Sequence, residues 1–358
     1  MTETPPLKIA VYTIALNERH FVDRWATSVK EADYLVVADT GSTDGTIEAL
    51  NAYGVMVNSI KIKPWRFDDA RNIALSLVPE DADVCISMDM DELMAPGWRQ
   101  EIEKNWLPNT TKLRYSYTHN FDENDQPIHT FMADKIHSRF GYRWKRPVHE
   151  TMFPMGDEQI VTAPTVVMWH KQDPNKSRGQ YLPLLELSHK EIPNDSQLCY
   201  WLAREYAFYN QRENAVEYFK KYLDMPESGW ADERSEAMKW LAQLLPHENL
   251  KWLRLSIAES PSRREAWLNL AEYYYGRSDW LNLYATAKEG LAITTPSGSY
   301  LDYPHAWGGK LWDLAGLGAW NIGLREDSLK MFEQAYLLEP TDERIKNNYE
   351  FVKNTLGQ

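Results

Sequence analysis

The sequence predicts an α/β domain built on a mostly parallel, Rossmann-like sheet, followed by an all-α domain of helical repeats. Two patterns carry the prediction. Up to about Lys171 strand-like and helix-like segments alternate, the order required by a parallel sheet with helices on both faces. After Asn194-Asp195 the strand signals vanish, and segments of helical length with apolar i, i+3, i+4 spacing take over. With 358 residues the chain is long enough for both. The expected limits are 1–175 for the first domain, 176–195 for a linker helix and 196–358 for the repeats.

In order, Leu7 to Ile14 reads as an apolar strand and Asn17 to Glu31 as a helix. Tyr34 to Ala38 is a second buried strand, followed by a Gly-rich turn and a helix from Thr46 to Tyr53. Val55 to Ile62 is a third strand and Asp69 to Leu77 a third helix. Val84 to Met88 is apolar and β-branched without polar alternation, as a fully buried fourth strand should be. A less regular region follows, with strands near Lys112 to Tyr117 and Thr165 to Trp169. In the second half, Tyr200 to Tyr206 pairs with Ala215 to Leu223, Trp267 to Tyr274 with Leu283 to Leu291, and Leu314 to Ile322 with Ser328 to Leu338. Small residues, aromatics and the closing Glu339-Pro340 match the pattern of tetratricopeptide repeats. The spacing is irregular and Trp240 to Glu259 is degenerate, so an imperfect array is expected, with a non-repeat helical bundle as the alternative.

Composition excludes several classes. A net charge of -13 argues against a surface that binds nucleic acid throughout, though a local basic patch remains open. No run approaches the roughly 18 apolar residues of a membrane span. The N-terminus, Met1-Thr2-Glu3-Thr4-Pro5-Pro6, has no basic n-region. The cysteines number 2, too few for a disulfide framework, so reduced structural thiols in a cytoplasmic protein are expected.

The chemistry gathers at strand ends. The fourth strand runs into Asp89-Met90-Asp91-Glu92, just beyond the carboxyl end where open α/β sheets bind ligands. Alternate carboxylates there suit a hard cation bridging phosphates. The second strand ends in Asp39-Thr40-Gly41-Ser42-Thr43-Asp44-Gly45-Thr46. Asp39 precedes the next helix by too many residues to cap it, whereas a cap is the favoured role of Asp44. Asp68 or Asp69 is expected to cap the third helix. Arg71 lies in its first turn, poor placement for a cation unless a phosphate or an ion pair with Asp68 compensates.

Asn17-Glu18, the Asp39 to Thr46 run, Ala70-Arg71-Asn72 and Asp89-Met90-Asp91-Glu92, in this order, resemble the family 2 glycosyltransferases of the GT-A fold. Within them the chain is similar to the branch with C-terminal tetratricopeptide repeats, which includes the sublancin-type peptide S-glycosyltransferases. The resemblance implies inverting transfer of a sugar from a nucleotide-sugar donor, usually UDP-linked, with Mn²⁺ or Mg²⁺ on the diphosphate. It places Asp39 at the nucleobase, Arg71 in the donor site, Asp91 as the more direct metal ligand and Asp89 nearer the ribose and the metal waters. Pro147-Val148-His149-Glu150 fits the segment carrying the catalytic base, which makes Glu150 that base. Met168-Trp169-His170 fits the late histidine that completes the metal site.

Lys135 to Arg146 is basic and aromatic within an acidic chain, and Lys145-Arg146-Pro147 stands where the branch has small residues. A solvated loop beside the site is the favoured reading. The sharper one is an acceptor surface for modified DNA or a phosphorylated glycan. The sequence thus implies a glycosyltransferase whose repeats position a macromolecular acceptor, protein or peptide foremost, or mediate a homodimer. A repeat scaffold with an inactive transferase domain is the alternative of another class. A nucleotidyltransferase should show a Gly-rich basic phosphate loop after the first strand, which Thr13 to Glu18 does not supply. Glu92 is expected to start the following helix and is given no chemistry.

Overall fold

The structure, a computed structural model, describes residues 6–122, 124–172, 179 and 181–357. Met1 to Pro5 and residues 176–178 and 180 of the expected linker lie outside the described residues. The chain divides into two compact units, Met1–Glu191 and Ile192–Gln358.

The first unit runs β1 (Ile9–Ala15), α1 (Arg19–Ser28), β2 (Tyr34–Asp39), α2 (Thr46–Ala52), β3 (Met56–Ser59), α3 (Phe67–Ser76), β4 (Val84–Ser87), β5 (Glu92–Met94), α4 (Trp98–Asn105), β6 (Lys112–Phe121), β7 (Pro127–Ser138), β8 (Tyr142–Lys145), β9 (Thr151–Pro154), β10 (Ile160–His170) and α5 (Tyr181–Glu191). One eight-stranded sheet has the order β3-β2-β1-β4-β7-β6-β10-β5, and β8-β9 form a separate hairpin. The half from β3 to β4 is parallel. Beyond β4 the sheet is mixed, with β7 antiparallel to both neighbours.

Alternation along β1 explains the two covered faces. Ile9 and Val11 join a core with Val22 and Trp25 of α1, Leu50 of α2 and Trp98 and Ile102 of α4. Ala10 and Tyr12 join a second core with Ala74 and Leu75 of α3. The chain leaves β1 toward β2 and β3, then returns to lay β4 on the other side of β1. This reversal opens a crevice at the strands' carboxyl ends, and it is there that the candidate residues collect.

Three expectations are corrected. Glu92 begins a strand, not a helix: a turn closed by the Glu92 amide on the Asp89 carbonyl (3.0 Å) feeds β5, and α4 starts only at Trp98. The basic stretch Lys135 to Arg146 is largely not loop but the end of β7 and all of β8, with His137 and Trp144 buried. Neither Asp68 nor Asp69 occupies the N-cap of α3, which is Arg66; Asp68 instead grips the Arg66 guanidinium with both oxygens (3.0 and 2.9 Å).

The second unit is helical throughout its secondary structure: α6 (Ser196–Phe208), α7 (Arg212–Asp224), α8 (Ala231–Leu244), α9 (Asn249–Glu259), α10 (Arg264–Tyr275), α11 (Trp280–Leu291), α12 (Pro304–Trp307), α13 (Lys310–Asn321), α14 (Arg325–Leu338) and α15 (Glu343–Thr355). Successive helices pack as pairs, α6 with α7, α8 with α9, α10 with α11 and α13 with α14. The stretch expected to be degenerate therefore forms a regular pair. Small residues set the approach: a Cβ on Gly318 would lie 2.9 Å from the Tyr284 backbone of α11, and one on Gly316 would lie 2.8 Å from the Phe332 ring of α14. No helix among the described residues is long and apolar enough to cross a membrane.

Candidate active site

Asp39 closes β2 and is fully buried. Its Oδ2 accepts the amides of Gly41 (2.9 Å) and Ser42 (3.0 Å), which fold the Gly-rich turn back over the strand end. Its Oδ1 is buried with no hydrogen-bond partner among the described residues. A buried acceptor left open is costly unless a ligand donor meets it. The turn is laced to the β1–α1 loop, where Asn17 adopts φ 57° and accepts the Thr43 amide at 2.8 Å. Asp44 is not itself the N-cap of α2, a place held by Gly45. Its carboxylate nevertheless accepts the first amides of two helices, Thr46 of α2 and Arg19 of α1, both at 3.0 Å.

At the end of β4 the carboxylates separate. The Asp89 Oδ1 accepts Arg71 Nη2 at 2.8 Å, and its Oδ2 lies 3.6 Å from Lys135 Nζ. Arg71 reaches across from α3 and also donates Nε to Glu150 Oε1. One guanidinium thus ties the expected base to the first carboxylate of the motif. Burial opposes the Arg71 charge, but Asp89 and Glu150 outweigh it and hold its pKa well above the ordinary arginine value.

Glu92, 1 % exposed, accepts from three sides. Tyr117 donates at 2.7 Å and Lys135 at 2.9 Å to Oε1, and the Asp89 amide donates at 2.8 Å to Oε2. Burial, with Glu92 next, pushes the Tyr117 hydroxyl well above its usual pKa. Burial likewise disfavours the Lys135 charge, and Glu92 and Asp89 more than compensate, leaving its pKa raised.

Asp91, also buried, turns the other way. Its Oδ2 stands 3.4 Å from His170 Nε2 at the end of β10, and β10 holds His170 in register opposite Glu92. Two donors about 3 Å apart are what adjacent positions on a divalent ion require. The described residues gather no group of three or more His, Cys, Asp or Glu around one metal position. Asp89 is turned instead to Arg71 and Lys135. Next to His170, His119 is lowered to about 4 by burial and then by His129 and His170, and its Nδ1 has no partner among the described residues.

A cavity of about 670 Å³ opens over this cluster. Arg71, Asp89 and Glu150 line it; Thr40 and Met90, next to Asp39 and Asp91, do too. Trp65, Phe67, Trp144 and Tyr181 form an aromatic wall beside Glu150. The sequence alone does not single out Lys135, Glu92, Tyr117 or this wall. Lys135 falls within a stretch that reads as basic loop, and only the pairing of Ile86 with Ile136 brings it beside Ser87 at the end of β4.

Residues 10–155 match the family described as glycosyl transferase family 2. The matched stretch lies wholly within the first unit. Among solved structures, the chain is similar to TTC0263, a thermophilic TPR protein of Thermus thermophilus, at 19% identity over 48% of this chain and 88% of that one, TM-score 0.32. It is similar to MamA at 16% identity over 46% of this chain and 89% of that one, TM-score 0.33. It is also similar to yeast Tom70 at 15% identity over 51% of this chain and 37% of that one, TM-score 0.37. No curated protein matches the chain.

Proposed function

We propose that the protein is an inverting glycosyltransferase that uses a nucleotide-sugar donor, UDP-linked foremost, and a divalent metal ion, with Glu150 as base. The observation that carries the reading is the Arg71 bridge, which sets Glu150 in the cavity wall at a fixed place beside the Asp89 strand end. A base of that kind must stand close to the departing diphosphate, because bond making and bond breaking occur on opposite sides of one anomeric carbon.

Each residue then has a task. Asp39 Oδ1 accepts a nucleobase N–H. Asp89 lies on the ribose side of the diphosphate, and Arg71 acts in the donor site through it. Glu150 takes the proton of an acceptor hydroxyl or thiol as that atom attacks the anomeric carbon, and the bond to the nucleoside diphosphate breaks. Asp91 and His170 would supply the metal donors, and Asp89, which faces Arg71 and Lys135, would lie nearer the ribose and the metal waters. Mn²⁺ or Mg²⁺ held there would neutralise charge growing on the leaving diphosphate. Electrostatics support a cation: Asp89, Asp91, Glu92 and Glu150 are set against Arg71 and Lys135, an excess of negative charge that would repel a diphosphate.

The repeats suit a protein or peptide acceptor, a thiol included, and also a homodimer contact. Arg143 and Lys145 are exposed on β8 and Phe140 is 61% exposed nearby, which keeps modified DNA or a phosphorylated glycan as the second acceptor class. With Mn²⁺ and a panel of UDP-sugars, release of UDP should be measurable and should fall at least about 100-fold in Asp91→Ala. Turnover unchanged by that substitution would contradict the metal assignment. Absence of any nucleotide binding by calorimetry would favour the inactive scaffold.

A further inference from the structure

Arg71 and Lys135 both line the cavity, but they are held differently. The Arg71 side chain is 7% exposed, and each of its nitrogens faces a protein group. Nε meets Glu150, Nη2 meets Asp89, and Nη1 points 3.4 Å toward Ser87 Oγ, a fully buried residue away from the cavity. Nε and Nη2 already meet carboxylates, so an arriving anion would compete with Asp89 and Glu150 for this guanidinium.

Lys135 differs in each respect. Its side chain is 27% exposed, with one close partner among the described residues, Glu92 Oε1 at 2.9 Å. Asp89 Oδ2, at 3.6 Å, is beyond hydrogen-bond range. An ammonium carries three hydrogens on a flexible stem, so donor capacity remains toward the cavity. Tyr117, with Lys135 Nζ 5.8 Å from its ring centroid, and Glu92 anchor the lysine at the mouth of the carboxylate cluster.

We propose that Lys135 is the cation that binds the donor's diphosphate, and that Arg71 is a positioning residue that fixes Glu150 relative to Asp89. This rests on the nucleotide-sugar reading of the cavity. A phosphate oxygen attracts a lysine as a point charge without demanding the planar geometry that Asp89 and Glu150 already occupy on Arg71.

The test is calorimetry of the full chain with Mn²⁺, using UDP and uridine as probes, on wild type, Lys135→Gln, Lys135→Arg and Arg71→Lys, each checked for folding by circular dichroism. Lys135→Gln should weaken UDP about tenfold or more and leave uridine unchanged, because only the phosphate contact is lost. Lys135→Arg should restore UDP affinity to within about threefold. Arg71→Lys should keep UDP affinity within about threefold while kcat drops tenfold or more at constant donor KM, since it loosens the base and not the phosphate site. Equal loss of UDP affinity in Arg71→Lys and Lys135→Gln would overturn the proposal, as would parallel loss of UDP and uridine in Lys135→Gln. If Lys135→Gln does not fold, Lys135→Arg and Arg71→Lys still decide: the first must retain UDP binding and the second must lose turnover alone. A wild-type chain that binds neither probe, nor ADP, GDP, CDP or dTDP, would overturn the nucleotide-sugar reading itself.

Discussion

His137 shows how a single buried residue supports the cavity from behind. Trp144 Nε1, in the aromatic wall, donates to Tyr12 Oη at 2.8 Å, which lies 2.9 Å from His137 Nε2. The His137 Nδ1 is 2.8 Å from the Ser138 carbonyl, an acceptor, so Nδ1 carries the proton and Nε2 accepts from Tyr12. Burial depresses the imidazole to about 3 from its ordinary 6.5. Between these values the unfolded chain binds a proton that the folded chain refuses, so stability rises with pH. The contribution is complete above about 6.5 and is lost as pH falls toward about 3. Lowering the pH from 7 to 5 should therefore cost roughly 2 kcal/mol through this residue. Urea unfolding of wild type and His137→Phe at both pH values checks this. The variant should show a smaller pH dependence, and equal dependence would exclude His137 as its source.

At the scale of elements, the parallel half of the sheet was legible because β1, β2 and β4 are short apolar runs with no competing pattern. Its strand ends mark Asp39, Asp89 and Asp91 directly. The mixed half was not. Along β7, Ile128 and Met132 are exposed, whereas His129 and His137 are buried. The alternation that marks a half-buried strand is scrambled there, and Lys135 was hidden with it. β10 is interrupted by a register shift between Ala163 and Val167, around Pro164, which shortened its apparent length. In the repeats, small residues among the aromatics were the useful signal. Since a Cβ at Gly318 would meet Tyr284 backbone at 2.9 Å, Gly318→Val should destabilise the chain by about 1–3 kcal/mol in a denaturant titration. Gly276, whose nearest neighbour would be at 3.6 Å, provides the contrast. Gly276→Ala should have a smaller effect, and a larger loss at Gly276 than at Gly318 would remove the close-packing account.

For the whole molecule, the acidic balance of the sequence and the chemistry of the cavity agree. If it handles a diphosphate as proposed, a chain with a net charge of -13 needs its positive charge focused at one place. In the proposed reading Lys135 provides that focus, and the Asp91–His170 pair would supply donors for a metal to complete it. The feature that distinguishes this arrangement from a generic anion site is the proposed base, Glu150, held by the same arginine that holds Asp89. Its most direct test is UDP release from a UDP-sugar by purified wild type and Glu150→Gln, with UDP affinity measured in parallel. The arrangement predicts that Glu150→Gln still binds UDP within about threefold while turnover falls by about 100-fold or more. Turnover equal to wild type in Glu150→Gln would contradict it.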